Sequence, residues 1–381
     1  MKRLLYILCS VVGLISHAQT ALYNSGNLRI HENGQMGFHT DLTNDGVFDE
    51  NLGLVGFYGN SISVSGAFAP TFFDVEFAAT GSTLLNSSVN VTNNANFISG
   101  NVATFRNTSD VSLQFLENGF YTGESDPNKV DGYVSVSGRP NFTFPVGDAN
   151  QLRPLIMQSS GAGTLAKCAY FFEDPNNPQS LDDAFSTGRT APNVGVVSPF
   201  EFWRLESDVP TTISISWNER SNISGLTDDV NTIAIVGFSK SLNQWVGLGS
   251  TSRAGDLVQG FITSAQFVPD DYDAITFSGS GAPDVLLELD NYLVSANGDG
   301  INDFLEIPEL EQSPNNELFI YDRFGMKVFE QTNYTNEFSG FANTGDFVFQ
   351  REKGLPSGVY YYVVSMKDMG LDFQGFFYLT R

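Results

Sequence analysis

Leu42-Thr43-Asn44-Asp45-Gly46-Val47-Phe48 and, 49 residues further on, Val91-Thr92-Asn93-Asn94-Ala95-Asn96-Phe97 run in parallel. Each opens on an apolar residue, passes an Asn-rich corner and ends on Phe, and a turn and another short strand follow. Repeated short strands with polar corners suit a β-solenoid, in which every coil buries its apolar side chains against its neighbours. The same runs, at 52–58, 62–64, 72–77 and 89–91, also suit an irregular β-sandwich, because short β patterns fix strands better than they fix topology.

Outward from this region the chain keeps its β character. Residues 20–280 are short apolar runs, many alternating with period two, separated by Gly, Asn, Asp, Ser and Pro clusters. From about Asp126 the strands lengthen, with nine runs between 133 and 277, a pattern that predicts an antiparallel sandwich. Trp203, Trp217 and Trp245 all fall here, and their expected place is its core rather than a sugar-stacking platform. Ser278-Gly279-Ser280-Gly281-Ala282-Pro283 reads as a flexible polar joint. The fold class is therefore all-β: a β-solenoid-like region at 19–124, a β-sandwich at 125–277, a linker at 278–283 and a last domain at 284–381.

At the other end, Lys2 and Arg3 precede an apolar run over 4–15, and small Ser16 and Ala18 precede Gln19. That is the pattern of a secretory signal peptide at 1–18, cut after Ala18. A lipoprotein signal fits less well, because Cys9 lies inside the apolar run and follows bulky Leu8. Losing Lys2 and Arg3, with no acid among residues 1–18, takes the formal charge from −24 to −26. Such a surface disfavours nucleic acid and anionic membranes, both of which are held through Lys and Arg. Cleavage also removes Cys9 and leaves Cys168 alone, expected as a small buried thiol, so the mature chain is held by buried surface rather than by an internal disulfide.

The last domain carries a pattern of its own. Asn297-Gly298-Asp299-Gly300-Ile301-Asn302-Asp303 is followed by Leu318-Phe319-Ile320-Tyr321-Asp322-Arg323-Phe324-Gly325, by Leu355-Pro356-Ser357-Gly358-Val359-Tyr360-Tyr361-Tyr362, and by a closing Gly375-Phe376-Phe377-Tyr378-Leu379-Thr380-Arg381. In content and order these resemble the gliding-motility-associated C-terminal domain, the type B sorting domain of the type IX secretion system. The chain departs from the family in having Ser295-Ala296 where Thr-Pro is usual, and Phe338 where Trp is usual. The resemblance implies an immunoglobulin-like β-sandwich, read by the outer-membrane translocon and an outer-membrane barrel partner, with the cargo secreted or held on the cell surface. Phe144-Pro145-Val146-Gly147-Asp148, Arg153-Pro154 and Phe202-Trp203-Arg204-Leu205 are similar to a sandwich often placed ahead of this domain. A β-turn with an ordinary Asp–Arg pair explains them equally well.

Catalytic signatures are missing. No Gly-x-Ser-x-Gly, His-Glu-x-x-His, Walker A or dinucleotide motif occurs, and only His31 and His39 follow the signal peptide. Residues 20–124 hold ten acids against Arg29 and Arg106, which disfavours lyase chemistry on anionic sugars. Asp41, Asp45, Asp49 and Glu50 could supply the two carboxylates of a hydrolase, but they surround a Gly46 turn where Asp is favoured for its geometry. Two segments have the alternating oxygen spacing of a calcium loop. Asp41-x-Thr43-x-Asp45-Gly46-x-x-Asp49 is the weaker, and Ser295, Asn297, Asp299, Asp303 and Glu306 the stronger, against the alternative of an Asn-Gly and Asp-Gly turn. The expected function is that of a non-enzymatic secreted or cell-surface protein, an adhesin or structural surface component with a glycan or cell-surface ligand. The alternative is a carbohydrate-active hydrolase on the N-terminal region.

Overall fold

A computed structural model describes residues 21–116, 118–163, 165–280, 292–308, 310, 313–344, 354–367 and 371–381. The expected signal peptide lies outside the described residues, as do residues 281–283 of the expected linker. The chain is all-β, and it divides into two compact units, Met1–Ser280 and Gly281–Arg381.

The first unit opens with a β-solenoid of about six turns. Leu54–Ser65, Thr71–Leu85 and Val89–Thr104 stack in parallel, with Asp41–Asn44 and Gln35–Phe38 beneath them and Leu113–Phe115, Phe120–Thr122 and Val130–Asp131 above. Register sets the coil length. Phe38 pairs with Phe57, Phe57 with Phe77 and Phe77 with Phe97, so one coil takes 19 or 20 residues here. The 49-residue similarity is therefore not the structural repeat: Leu42 stacks on Val64 and Val91 on Phe72, in different columns of the coil. What recurs at 49 residues is corner composition.

Period-two alternation supplies the interior, since every second residue of a strand faces inward. The four Phe rings form a buried column, stacked at 5.2, 5.8 and 5.8 Å. Burying each ring contributes about 1.5–3 kcal/mol. Stacked coils also bury polar backbone at their corners, and that backbone must find partners. Asn residues provide them from coil to coil. Asn24 Nδ2 donates to Asn44 Oδ1 at 2.7 Å and Asn44 Nδ2 to the Phe68 carbonyl at 2.9 Å, while Asn51 accepts from the Ile30 amide and donates to the Thr71 carbonyl, both at 2.8 Å. Gly100 makes a tight corner at φ 72°, where an added Cβ would lie 1.9 Å from the Ala79 carbonyl oxygen of the next coil.

No break separates the solenoid from the sandwich. Val134–Val136 pairs in parallel with Leu113–Phe115 and antiparallel with Ala166–Phe171, so one sheet passes from coil into sandwich. It continues through Phe202–Glu206, Tyr272–Ser280, Ile233–Ser239 and Gln244–Gly247. A second sheet, antiparallel throughout, comprises Asn141–Phe144, Leu155–Ser159, Thr211–Trp217, Gly260–Thr263 and Ser252–Gly255. A single core extends from Ile30 to Phe277 and includes Trp203 and Trp217; Trp245 is buried in a smaller cluster with Phe185 and Phe238. All three tryptophans are thus core residues, and Cys168 is a buried free thiol whose pKa burial pushes up. Ser278, Gly279 and Ser280, expected in the linker, are instead the end of the strand Tyr272–Ser280, where Gly279 pairs with Ile233.

The second unit contains a five-stranded sheet in the order Tyr292–Ser295, Leu371–Thr380, Gly358–Met366, Asn316–Tyr321, Lys327–Thr332. Leu371–Thr380 is an inner strand, parallel to Tyr292–Ser295 on one side and antiparallel to Gly358–Met366 on the other. The inner face (Val294, Leu318, Ile320, Tyr362, Phe377, Leu379) is covered by Leu305, Ile307, Phe338 and Leu355 from connecting segments. Phe338, standing where the family favours Trp, is buried against Phe329 and Phe377 at 5.0 and 5.6 Å. The second sheet that an immunoglobulin-like sandwich implies has no strand among the described residues.

Candidate functional site

In the second unit, the segment 295–303 closes on itself. Gly298 and Gly300, at φ 76° and 86°, turn their amides inward, and these donate to Asp303 Oδ1 and Oδ2, both at 2.7 Å. Asp299 Oδ1 accepts from the Ile301 amide and its Oδ2 from Asn297 Nδ2, while Asn297 Oδ1 accepts from the Asp299 amide, all at 2.9 Å. The Ser295 amide donates to the Asn302 carbonyl at 2.7 Å. Hydrogen bonds from Asn297 and the Ile301 amide hold the Asp299 carboxyl below its ordinary value.

Calcium needs six to eight converging oxygens. Here every side-chain oxygen of Asn297, Asp299 and Asp303 already faces an N–H donor, and no three His, Cys, Asp or Glu side chains gather as a metal site among the described residues. Asn297, Asp299 and Asp303, expected with Ser295 and Glu306 around a calcium ion, thus share one internally bonded turn. It is a backbone nest enclosing its own carboxylate, and the alternating oxygens that suggested calcium are the acceptors of that nest.

The opposite face of the same sheet is open. Tyr378 stands between Leu293 and Val359, and Phe376 pairs with Tyr361. These five side chains are 39 to 51% exposed. Because directly paired residues share a face, they form one aromatic and aliphatic patch, which on a soluble surface marks an interaction site. The sequence pattern includes Val359, Tyr361, Phe376 and Tyr378 but does not show that they share a face. The available signal was consecutive aromatics, Tyr360-Tyr361-Tyr362 and Phe376-Phe377-Tyr378, which place large rings on both faces of a strand whose outer face would otherwise be polar.

In the solenoid, the acids considered for hydrolysis are largely structural. Asp41 Oδ1 accepts from the Ser63 amide at 2.7 Å and Asp45 Oδ1 from the Ala67 amide at 2.8 Å, each holding the next coil. Glu50 pairs with Arg29 at 2.7 Å. Among the described residues, none of these four joins a cluster of three side chains able to hold a metal ion.

The motif residues of the sandwich do meet, with partners the sequence did not disclose. Arg153 pairs with Glu201, its Nη2 lying 2.9 and 2.7 Å from the two carboxylate oxygens and 2.9 Å from Ser221 Oγ. Tyr170 donates to Glu201 at 2.7 Å, Trp203 Nε1 donates to the Arg153 carbonyl at 3.0 Å, and the guanidinium lies over both rings. Asp148 pairs with Arg220, not Arg153, through bonds of 3.1 and 2.7 Å. Burial alone would raise the Asp148 carboxyl, but Arg220 and the amides of Gln151 and Asn150 outweigh it and hold the pKa below its ordinary value. Burial, then the neighbouring Glu201, pushes the Tyr170 hydroxyl well up. The Arg153–Glu201 pair is closed from solvent on both sides, so the cluster orients the sheets rather than meeting a substrate.

Residues 287–379 match the CHU_C Type IX secretion signal domain. The chain thus carries a C-terminal sorting domain, and it is exported by the type IX secretion system to the cell surface or the outside. No curated protein and no solved structure matches the chain.

Proposed function

We propose that this protein is a non-enzymatic surface component, an adhesin or structural element, taken to the periplasm by its N-terminal signal peptide and then outward by the sorting domain. The observation that carries the non-enzymatic reading is the use made of the solenoid's carboxylates: Asp41 and Asp45 hold neighbouring backbone, and Glu50 is paired. No observation favours the hydrolase. The export machinery, including an outer-membrane barrel partner, docks on the open patch of Leu293, Val359, Tyr361, Phe376 and Tyr378. Support for this comes from the patch lying on the very strands that carry the sorting pattern, while the other face is filled by the unit's own core.

The test uses cells and a purified chain. Tagged protein should appear on the surface or in the medium, and purified protein should bind cells or their extracellular matrix without releasing reducing sugar from any neutral polysaccharide. Turnover that Asp45→Asn abolishes would overturn the non-enzymatic reading.

A further inference from the structure

Between the upper coils of the solenoid and the segment 173–187 lies an open cleft of about 570 Å³, within the range of small-ligand sites. One wall is the coil 103–107, from which Phe105 projects 48% exposed beside Asn107. The other presents Gln179, Leu181 and Asp182.

That second wall is pre-set. The Ser180 amide and hydroxyl both donate to Glu173, at 3.0 and 2.6 Å, and the Thr187 amide and hydroxyl both donate to Asn176 Oδ1, at 2.8 and 3.1 Å. Phe185 anchors the segment in the core, 5.7 Å from the Phe202 ring and 5.4 Å from that of Phe238. Walls fixed before binding lower the ordering cost of taking a ligand.

The chemistry of the cleft is specific in what it omits. Its one cation, Arg106, bonds Asp131 and the carbonyls of Tyr170 and Gly147, and it lies over the Phe171 ring, so its charge is matched within the protein. Asp182, exposed, adds negative charge. An anionic ligand would meet a carboxylate and no uncompensated base. The segment 173–187 contains no strand that could extend a sheet onto a peptide. An exposed aromatic face beside primary amides and a carboxylate suits a ligand with an apolar C–H face and a rim of hydroxyls.

We infer that this cleft binds a neutral saccharide, stacked on Phe105 and held through its hydroxyls by Asn107, Gln179 and Asp182. The inference deepens the adhesin reading and rests on it for its setting, since a surface protein adhering through another ligand would still bind cells while ignoring sugars.

Calorimetric titration of the full chain with cellohexaose, xylohexaose, mannohexaose and chitohexaose tests it, with oligogalacturonate as the anionic control. At least one neutral oligomer should bind and the galacturonate should not. Phe105→Ala and Asp182→Asn should each weaken binding about tenfold, whereas Phe68→Ala, which removes another exposed ring of the solenoid, should leave it unchanged. Hydrogen exchange of the solenoid strands, with tryptophan fluorescence melts for the sandwich, establishes that each variant retains the fold. Binding by none of the four oligomers, binding that survives the Phe105→Ala, Asp182→Asn double variant, or preference for the galacturonate would overturn the assignment. Cell adhesion by the intact chain separates the two readings: adhesion by a chain that binds none of the oligomers refutes the cleft and leaves the adhesin standing.

Discussion

Replacing Phe77 by Ala removes a ring that is 1% exposed and stacked on Phe57 and Phe97, at 5.8 Å from each. Truncating a buried Phe in a close-packed interior costs about 3–5 kcal/mol, because the cavity relaxes only in part. With a urea slope of about 3 kcal/mol/M, the midpoint should fall by roughly 1–1.7 M. Phe38 stacks on Phe57 alone, so Phe38→Ala should lose one fewer aromatic pair, a difference of about 0.5–1.5 kcal/mol. The assay exploits the placement of the tryptophans. Trp203, Trp217 and Trp245 all lie in the sandwich part of the first unit, so their fluorescence does not report on the solenoid directly. If one core runs from Ile30 to Phe277, a change at Phe77 must still move the tryptophan transition, together with hydrogen-exchange protection of the solenoid strands. An unmoved tryptophan midpoint beside lost solenoid protection would refute the continuous core and restore two separate domains.

Glu201→Gln leaves the Arg153 charge buried without its counter-ion and should destabilise the first unit by about 3–5 kcal/mol, whereas Arg153→Met with Glu201→Leu should recover most of the loss, both read by urea melts. Asp148, with its folded pKa held below the ordinary 3.8, contributes stability that is present above about pH 3.8 and lost as pH falls through the folded value. The urea midpoints of wild type and Asp148→Asn should therefore converge in that acid range, and a gap that stays constant with pH would contradict the assignment. Chelator and millimolar calcium should leave hydrogen exchange of residues 292–308 unchanged, whereas Asp303→Ala should speed it by removing the acceptor of two amides, at a cost on the order of 1 kcal/mol. Tyr361→Ser with Phe376→Ser should keep the sorting sheet folded, as judged by exchange of its inner strands, while reducing the amount of protein reaching the surface.

How far the fold could be read in advance depended on where each signal lies. Alternation and turn residues are local, so the all-β class, the solenoid and the buried tryptophans were legible. The coil length was harder to see because the eye followed Asn-rich corners, while the residues in true register, Phe38, Phe57, Phe77 and Phe97, are separated by unlike sequence. Ion-pair partners were hidden for a different reason: Arg153 meets Glu201 and Asp148 meets Arg220 across 48 and 72 residues, which only the pairing of strands decides. The calcium spacing is ambiguous in the sequence because one pattern of oxygens serves a cation or a set of inward-turned amides; in the structure the amides of Gly298 and Gly300 bond Asp303. The strand end at Ser280 was misplaced because Ser and Gly suggest a joint, yet Gly279 lies where an added Cβ would come within 2.4 Å of the Leu226 carbonyl oxygen.

Export follows from the second unit, and a transplant examines that directly. A reporter bearing a signal peptide and residues 281–381 at its C-terminus should leave the periplasm for the surface or medium of a host with the type IX system, while the chain ended at Ser280 should stay behind the outer membrane. A reporter that remains periplasmic, or a truncated chain that is exported as well as the intact one, would contradict the account.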